Sequence, residues 1–188
     1  MPKVIDDAEE RIFQAVVELI SQQGLENTSM RKIAARSDLA VGTLYNYFND
    51  KEELICHVID KSWQGTFSKL DKIIKAEEKE DRAKMEEFVD TLYDEIMSRR
   101  LVGRDLLRNN IINQEEIDRL NKELRSRFRK LFESLNMPEH KSGKNLDEDR
   151  LASTIISTII TMADKYNHPE EDKIFISGVL HNFFNFED

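Results

Sequence analysis

Residues 28–51, TSMRKIAARSDLAVGTLYNYFNDK, contain two short helical patterns separated by only a few residues. The first pattern covers Met30–Arg36, and the second covers Val41–Phe48, where Leu44 and Phe48 lie four residues apart on one apolar face. Two helices joined by so short a turn, with no proline between them, cannot lie antiparallel. We therefore expect them to cross steeply as a helix-turn-helix, which offers its second helix to the DNA major groove.

The outward-facing residues of the second helix suit contact with nucleic acid. Thr43 and Asn46 can form hydrogen bonds with bases or phosphates. Tyr45 and Tyr47 each combine a flat ring with a hydroxyl group, and Lys51 follows at the start of the next helix, where its charge could meet a phosphate.

The charge of this stretch differs in sign from that of the whole chain. Four basic residues stand against two acidic ones between residues 28 and 51, whereas the chain as a whole carries a formal charge of −9. A locally basic segment supports DNA binding at this place. The acidic remainder argues against non-specific coating of nucleic acid or membranes.

The amino-acid sequence of this region resembles a known signature. The sequence GTLYNYFNDKEEL at 42–54, preceded by TSMRKIAA at 28–35, is similar to the N-terminal signature of the TetR family of transcriptional regulators. The resemblance covers about the first quarter of the chain in detail. It implies a homodimeric regulator, most often a repressor, that binds a palindromic DNA operator and responds to a small effector molecule.

The resemblance also implies roles for individual residues. Base contacts are expected near the start of the second helix of the motif, from Val41, Gly42 and Thr43. Phosphate or groove-edge contacts are expected from the following residues, the first of which lies on the preceding helix: Arg31, Tyr45, Asn46, Tyr47 and Lys51. A packing role is the alternative for the two tyrosines. Glycine at position 42 would allow the backbone to approach DNA closely.

Four positions depart from the usual pattern of the family. Asp38 stands where glycine is common, although aspartate tolerates a left-handed conformation better than most residues. Ala40 removes a helix N-cap, which costs roughly 1 kcal/mol. Lys32 stands where an acidic residue is frequent. Val41 replaces a commonly polar residue and suits contact with a thymine methyl group.

Composition favours an all-α fold. The chain has 188 residues, of which 39% are hydrophobic, with only three prolines and six glycines. One cysteine, Cys56, excludes an intrachain disulfide and fits a reducing cytoplasm. No apolar run approaches the roughly 18 residues that a membrane span needs.

Two domains are predicted. Residues 1–50 form a three-helix DNA-binding domain, whose first helix covers Asp6–Gln23 with a capping box from Asp6 and Glu9 and a stop at Gly24. Residues 51–188 form a larger helical body for effector binding and dimerisation.

The body begins with a helix that Asp50 and Glu53 cap and that runs to Ile74. The charged stretch 75–87 is predicted to be a solvated helix end and loop. A helix then covers Met85–Arg100 and is interrupted at Gly103. The next helices are a short one over Leu106–Ile112 and a longer one over Gln114–Leu135, which a polar loop at 138–144 follows.

The last two helices carry more apolar residues than one face needs. The first is predicted to be capped by Asn145 and Glu148, and the second starts near Pro169. Their excess apolar surface indicates either a four-helix interface between two subunits or a fully buried central position. The family resemblance favours the interface. The candidate interface residues are Leu151, Ile155, Ile159, Met162, Phe175, Val179 and Phe183.

The resemblance further implies an effector pocket inside the body, for which we expect an apolar or aromatic compound. The candidate lining residues, for which plain core packing is the alternative, are Trp63, Phe67, Phe88, Leu92, Met97, Leu107, Ile111, Phe128 and Met162.

We expect no metal site, cofactor or catalytic centre, because the sequence has no ligand-spaced cluster and no nucleotide or triad motif. The alternative function is a helical adaptor that acts by protein–protein contact without sequence-specific DNA binding.

Overall fold

The computed structural model describes residues 8–135, 147–166 and 168–184, and within these ranges the chain forms eight α-helices and no strand. The all-α prediction is confirmed. The helices are α1 Glu9–Gln23, α2 Met30–Arg36, α3 Val41–Tyr45, α4 Lys51–Ile74, α5 Asp81–Arg108, α6 Gln114–Ser134, α7 Glu148–Lys165 and α8 Pro169–Phe184. None of the described helices is both long and apolar enough to cross a membrane.

The chain divides into two compact units. Unit 1 comprises Met1–Thr66 and Ser98–Asn113, and unit 2 comprises Phe67–Met97 and Gln114–Asp188. The predicted boundary at residue 50 therefore does not coincide with a unit boundary. The reason is that Leu54 at the start of α4 is fully buried in the core of unit 1.

The core of unit 1 forms because α1 is amphipathic. Its buried face, which includes Ile12 and Val16, packs in one cluster with Ile33 of α2, Leu44 of α3 and Leu54 of α4. All five side chains are fully buried, so the three-helix arrangement is held by side chains that the sequence places at helical spacing. Gly24 ends α1 with a φ of 77°, a conformation that glycine adopts without strain.

The turn between α2 and α3 depends on Asp38. Its φ of 55° places it in the left-handed region, and the N–H of Leu39 donates to the carbonyl of Ala34 at 2.9 Å. This six-to-one hydrogen bond is the Schellman arrangement that closes a helix. At the start of α3, Ala40 forms no side-chain cap, as the sequence predicts. The helix-turn-helix prediction is confirmed, with α2 at the predicted bounds.

The second helix of the motif is shorter than predicted. It ends at Tyr45 instead of Phe48, because the N–H of Tyr47 turns to the carbonyl of Leu44 in a tighter last turn. Phe48 then points into the core at 3% exposure. Ala35 of α2 is exposed.

The predicted capping box before α4 forms with one difference. Asp50 Oδ1 accepts from the N–H of Glu53 at 2.8 Å, as expected. The returning hydrogen bond goes to Glu53 Oε2 from the N–H of Asn49, not from that of Asp50. The carboxylate reaches one residue further back and still satisfies a free backbone donor.

The predicted break at Gly103 is wrong, because α5 runs without interruption through this position. Val102 and Leu106 on either side are fully buried in the core of unit 1, and this burial outweighs the roughly 1 kcal/mol that glycine costs inside a helix. The helix ends with Asn110 in the left-handed region, at a φ of 55°, and the N–H of Ile111 donates to the carbonyl of Leu106. Leu106–Ile112 is therefore not a separate helix.

The core of unit 2 combines aliphatic side chains with a series of aromatic contacts. The ring centroid of Phe128 on α6 lies 4.9 Å from that of Phe88 on α5 and 5.9 Å from that of Phe132. The ring centroids of Phe132 and Phe184 of α8 are also 5.9 Å apart. These contacts join three helices of the unit.

Polar side chains also fix the last two helices of unit 2. The Tyr93 hydroxyl of α5 donates to Oδ2 of Asp172 in the first turn of α8, at 2.5 Å, and both residues are buried. Asp147 caps α7 by accepting from the N–H of Arg150. The predicted cap at Asn145, the Asp6 capping box and the loop at 138–144 lie outside the described residues.

Candidate DNA-binding surface

Most of the predicted contact residues of α3 lie on its solvent-exposed face. Tyr45 is 57% exposed and Val41 is 37% exposed, and Gly42 and Asn46 are also exposed. Thr43 is half-buried. The opposite face of the helix is anchored in the core of unit 1. The structure thus brings these five candidates together on a surface that a partner can reach.

The two tyrosines differ in their surroundings. Tyr45 projects from α3, whereas Tyr47 is half-buried and packs against the core of unit 1. The packing role that the sequence left open therefore applies at least partly to Tyr47. The Tyr47 side chain still reaches the surface.

Lys51 is held by the protein itself. Its ammonium donates to the carbonyl oxygens of Leu25 at 2.9 Å and of Thr28 at 3.2 Å, and its side chain is only 21% exposed. Sequence patterns could not reveal these two acceptors, because they lie more than twenty residues earlier in the chain. The phosphate contact of Lys51 stays a prediction.

The basic residues of α2 have different surroundings. Lys32 donates to Gln23 Oε1 at 3.0 Å and to the carbonyl of Asn27 at 2.7 Å, which holds the loop before α2. Arg36 pairs with Glu18 of α1 at 2.5 Å. Arg31 is exposed on the same helix. Lys32 and Arg36 thus position α2, and Arg31 is the basic side chain that the sequence assigns to DNA.

Gly42 has open space around it. A Cβ atom built at this position would meet no atom of the protein within 4 Å. Nothing inside the fold therefore requires glycine here. Close approach of a partner to the backbone remains the reason predicted from the sequence.

The predicted effector residues are divided between the two units. Trp63, Leu107 and Ile111 belong to unit 1, whereas the remaining six belong to unit 2, namely Phe67, Phe88, Leu92, Met97, Phe128 and Met162. In unit 1, the Arg99 guanidinium lies 4.6 Å from the Trp63 ring, Leu107 is 46% exposed and Ile111 packs against the core.

Within unit 2, three of the six predicted effector residues belong to the core, and Phe67, Met97 and Met162 are half-buried. Phe88, Leu92 and Phe128 are fully buried, which is the packing alternative that the sequence left open. The Arg127 guanidinium covers the ring of Phe67 at 4.0 Å. The assignment of these residues to a ligand stays a prediction.

The candidate interface residues fall into two groups. Ile155 and Ile159 of α7 are buried within unit 2, so the structure does not present them to a second chain, and Leu151 and Met162 are half-buried. The other group, Phe175, Val179 and Phe183 of α8, is 56%, 50% and 42% exposed. These three residues, spaced four apart, form an exposed apolar stripe that we call the α8 stripe. Periodicity alone could not separate the two faces, because both are apolar.

The structure also contains a polar cavity that the sequence did not indicate. It lies in unit 2, has a volume of about 470 Å³, and is lined by side chains of α5 and α8 that include Asp90, Lys173 and His181. Burial raises the pKa of Asp90 above its ordinary value. Lys173 opposes this shift, and Asp94, Glu86 and Glu170 add to it. The signal for this cavity that the sequence offered was an acidic residue, Asp90, between the apolar residues Val89 and Leu92.

The surface on α2 and α3 lies inside a segment that matches a known domain. Residues 12–58 match the family model described as bacterial regulatory proteins, tetR family. The transcriptional repressor KstR of Mycolicibacterium smegmatis is 37% identical over 62 residues, which are 33% of this chain and 30% of that protein. The transcriptional regulator YvdT of Bacillus subtilis is 36% identical over 69 residues, 32% of this chain and 36% of that protein. The chain spans about a third of the length of these relatives.

Solved structures share the fold over nearly the whole chain. The TetR family regulator PfmR of Thermus thermophilus superposes with a TM-score of 0.68 at 15% identity, covering 95% of this chain and 96% of that one. The fatty acid degradation regulator FadR of Bacillus halodurans gives a TM-score of 0.69 at 16% identity, covering 92% and 93%. The similarity in sequence is thus concentrated in the segment that contains the exposed α3 surface.

Proposed function

We propose that this protein, whose residues 12–58 match the tetR family of bacterial regulatory proteins, is a homodimeric transcriptional repressor. Its α3 helices bind a palindromic operator. The observation that carries the proposal is the exposed surface of α3 inside the matched segment 12–58. Such a protein acts on the chromosome, so we expect it in the cytoplasm. The known relatives are regulators and not enzymes, and they give no support to the adaptor alternative.

The charge distribution supports a specific mode of DNA binding over a diffuse one. The chain carries a formal charge of −9, and the exposed Arg31 and the hydroxyl and amide groups of α3 are the donors available to phosphates and base edges. An acidic body repels the duplex wherever the donors do not meet it. Two α3 helices about 34–36 Å apart would enter successive major-groove faces of one operator.

A second copy of the chain is the occupant that suits the α8 stripe. Isolated exposed apolar residues are ordinary, but three large side chains at a spacing of four form a continuous ridge. Ile160 of α7, which is 45% exposed, adds apolar surface on the last two helices. A twofold pairing would bury the ridge against its own copy.

The proposed effector is a small apolar or aromatic molecule that binds unit 2. Support comes from the aromatic side chains of this unit and from the structural similarity to FadR, a regulator of fatty acid degradation. The effector would weaken DNA binding if it bound better to a conformation with another spacing of the two α3 helices. The coupling free energy then equals the difference in its affinity for the two states.

DNA binding can be tested by fluorescence anisotropy with the upstream region of the protein's own gene as probe. Tyr45→Ala should weaken binding by about tenfold or more, because one contact to a base or phosphate contributes roughly 1–3 kcal/mol. Tyr166→Ala is a matched control, since Tyr166 of unit 2 is 59% exposed against 57% for Tyr45. Equal affinities of the two variants would contradict the assignment of α3.

The salt dependence of binding gives an independent test. Arg31→Ala should lower the slope of log affinity against log salt concentration by about 1, the contribution of one phosphate contact. Binding without salt dependence or sequence preference would overturn the proposed function.

Dimerisation can be tested by sedimentation equilibrium. Val179→Glu places a charge in the middle of the α8 stripe and should convert a dimer into a monomer. Thr154→Glu, at an exposed position of α7, is the control. If Val179→Glu left the dimer intact, the stripe would not be its interface.

A further inference from the structure

The polar cavity of unit 2 is formed by residues of two helices that are far apart in sequence. Asp90 lies on α5, whereas Ile174, Gly178 and His181 lie on α8. Its volume of about 470 Å³ falls within the range of small-molecule sites in proteins. The residues of the α8 stripe do not line it, so a second copy that covers the stripe does not thereby fill the cavity.

Two buried polar atoms belong to residues that line this cavity and lack hydrogen-bond partners in the part of the chain that the structure describes. Asp90 Oδ1 and His181 Nδ1 are both buried, and neither has a donor or acceptor from the protein. Buried polar groups are almost always paired, so each unpaired atom calls for an explanation. Rotation of the Asp90 carboxylate about its Cβ–Cγ bond can turn either oxygen towards the cavity.

The cationic side chains of the cavity wall already have carboxylate partners. Lys173 Nζ lies 2.6 Å from Asp94 Oδ1, and Arg82 Nε lies 3.0 Å from Glu86 Oε1. Among the described residues, no ion pair involves Asp90 or Glu170, which also lines the cavity. Three carboxylates and two cationic side chains line the cavity, so its wall carries a net negative charge, which attracts a cation.

The described part of the chain argues against a metal ion as this cation. No group of three or more His, Cys, Asp or Glu side chains there is arranged to hold a metal. An organic cation needs fewer ligands, because an ammonium group donates three hydrogen bonds in a compact geometry. Ile174 and Gly178 supply an apolar wall beside the carboxylates.

We infer that this cavity binds a small primary alkylammonium ion, whose N–H groups donate to the Asp90 carboxylate and whose alkyl chain lies against Ile174 and Gly178. The His181 imidazole, whose Nδ1 has no partner among the described residues, lines the same cavity. This site goes beyond the proposed function, because it belongs to unit 2, whereas α3 belongs to unit 1, and because it requires a cation instead of an apolar effector.

Isothermal titration calorimetry of the full chain with n-butylammonium tests the inference, with 1-butanol and butyrate as probes of equal chain length. Butylammonium should bind with a dissociation constant on the order of 1 mM. The neutral and anionic probes should bind at least tenfold more weakly. Equal binding of all three probes, or no heat from butylammonium, would overturn the inference.

Two variants locate the site. Asp90→Asn should weaken butylammonium binding at least tenfold, because it keeps the shape of the side chain and removes its charge. Asp118→Asn makes the same change at an exposed position of α6 and should bind as the parent does. Unchanged binding to Asp90→Asn would contradict the role of this carboxylate.

A third variant guards against a fold effect. Gly178→Leu adds a side chain where open space surrounds the backbone, and it raises helix propensity, so the protein should fold. The leucine side chain should obstruct the cavity and weaken butylammonium binding at least tenfold. Retained affinity would place the ligand elsewhere and refute the site. DNA affinity in the absence of amine should stay unchanged in Asp90→Asn, which separates this test from that of the regulator.

Discussion

The ammonium group of Lys51 donates a hydrogen bond to the carbonyl oxygen of Leu25 at 2.9 Å, and a second one to that of Thr28 at 3.2 Å. These bonds connect the first turn of α4 to the loop that precedes α2. Lys51 thereby satisfies two backbone acceptors close to the N-terminus of the helix-turn-helix. The side chain has a structural role in addition to the phosphate contact predicted for it.

Replacing Lys51 with methionine should lower the free energy of unfolding by about 1–3 kcal/mol, because hydrogen bonds from a charged donor to partly buried acceptors are lost. Urea unfolding followed by circular dichroism measures this. Lys72→Met on the same helix, at an exposed position, should change stability by less than about 0.5 kcal/mol. If the two variants were equally stable, the structural role of Lys51 would be refuted.

Asp38→Gly should stabilise the protein by up to about 1 kcal/mol. Asp38 has a φ of 55°, which strains any residue with a Cβ atom, and glycine is preferred at this position of a Schellman turn. The contact of its carboxylate with Arg11, at 3.9 Å, involves a fully exposed Asp38 side chain and contributes little.

Thermal unfolding measures the effect, and Asp38→Val is the opposite control. A β-branched residue in the left-handed region should destabilise the turn. A melting temperature that fell for Asp38→Gly and rose for Asp38→Val would show that the turn does not govern stability here.

Tyr93→Phe should lower the free energy of unfolding by about 1–3 kcal/mol. The variant removes the 2.5 Å hydrogen bond to Asp172 and leaves a buried carboxylate that still accepts from the N–H of His168, at 3.3 Å. Tyr45→Phe, at a 57% exposed position, should change stability by less than about 0.5 kcal/mol. Chemical denaturation would contradict the prediction if both variants unfolded at the same urea concentration.

The sequence was most informative where structure depends on local contacts. The bounds of α2, the left-handed Asp38 and the uncapped Ala40 could be predicted because each involves residues within one or two turns. The family resemblance of this segment is confirmed. The break predicted at Gly103 is wrong, since burial of its neighbours, and not local propensity, keeps α5 continuous.

Long-range packing explains what the sequence could not indicate about unit 2. The apolar residues of α7 and α8 are similar in kind, yet Ile159 is fully buried and Val179 is half exposed. Nothing in their spacing reveals which face meets the rest of the chain. The polar cavity likewise depends on Asp90 and His181, which lie far apart in the sequence and line the same cavity in the fold.

The effect of pH on stability should reveal the unusual environment of Asp90. Burial, the largest cause, raises the pKa of its carboxyl group above the ordinary value of 3.8 in the folded chain. Between 3.8 and the folded pKa, the unfolded chain is ionised while the folded chain still holds the proton. The folded state therefore loses stability relative to the unfolded state as pH rises through this interval, and the full penalty remains at higher pH.

Asp90→Asn removes the charge and should abolish this penalty. We expect the stability of the variant minus that of the parent to increase with pH from about pH 4 upward and then to become constant. Urea unfolding at roughly half-unit steps from about pH 4 to about pH 8 measures the difference. Asp118→Asn, at an exposed position, should differ little from the parent throughout. A difference for Asp90→Asn that stayed constant or fell with rising pH would contradict the raised pKa of this carboxyl group, because only a raised pKa produces an increase.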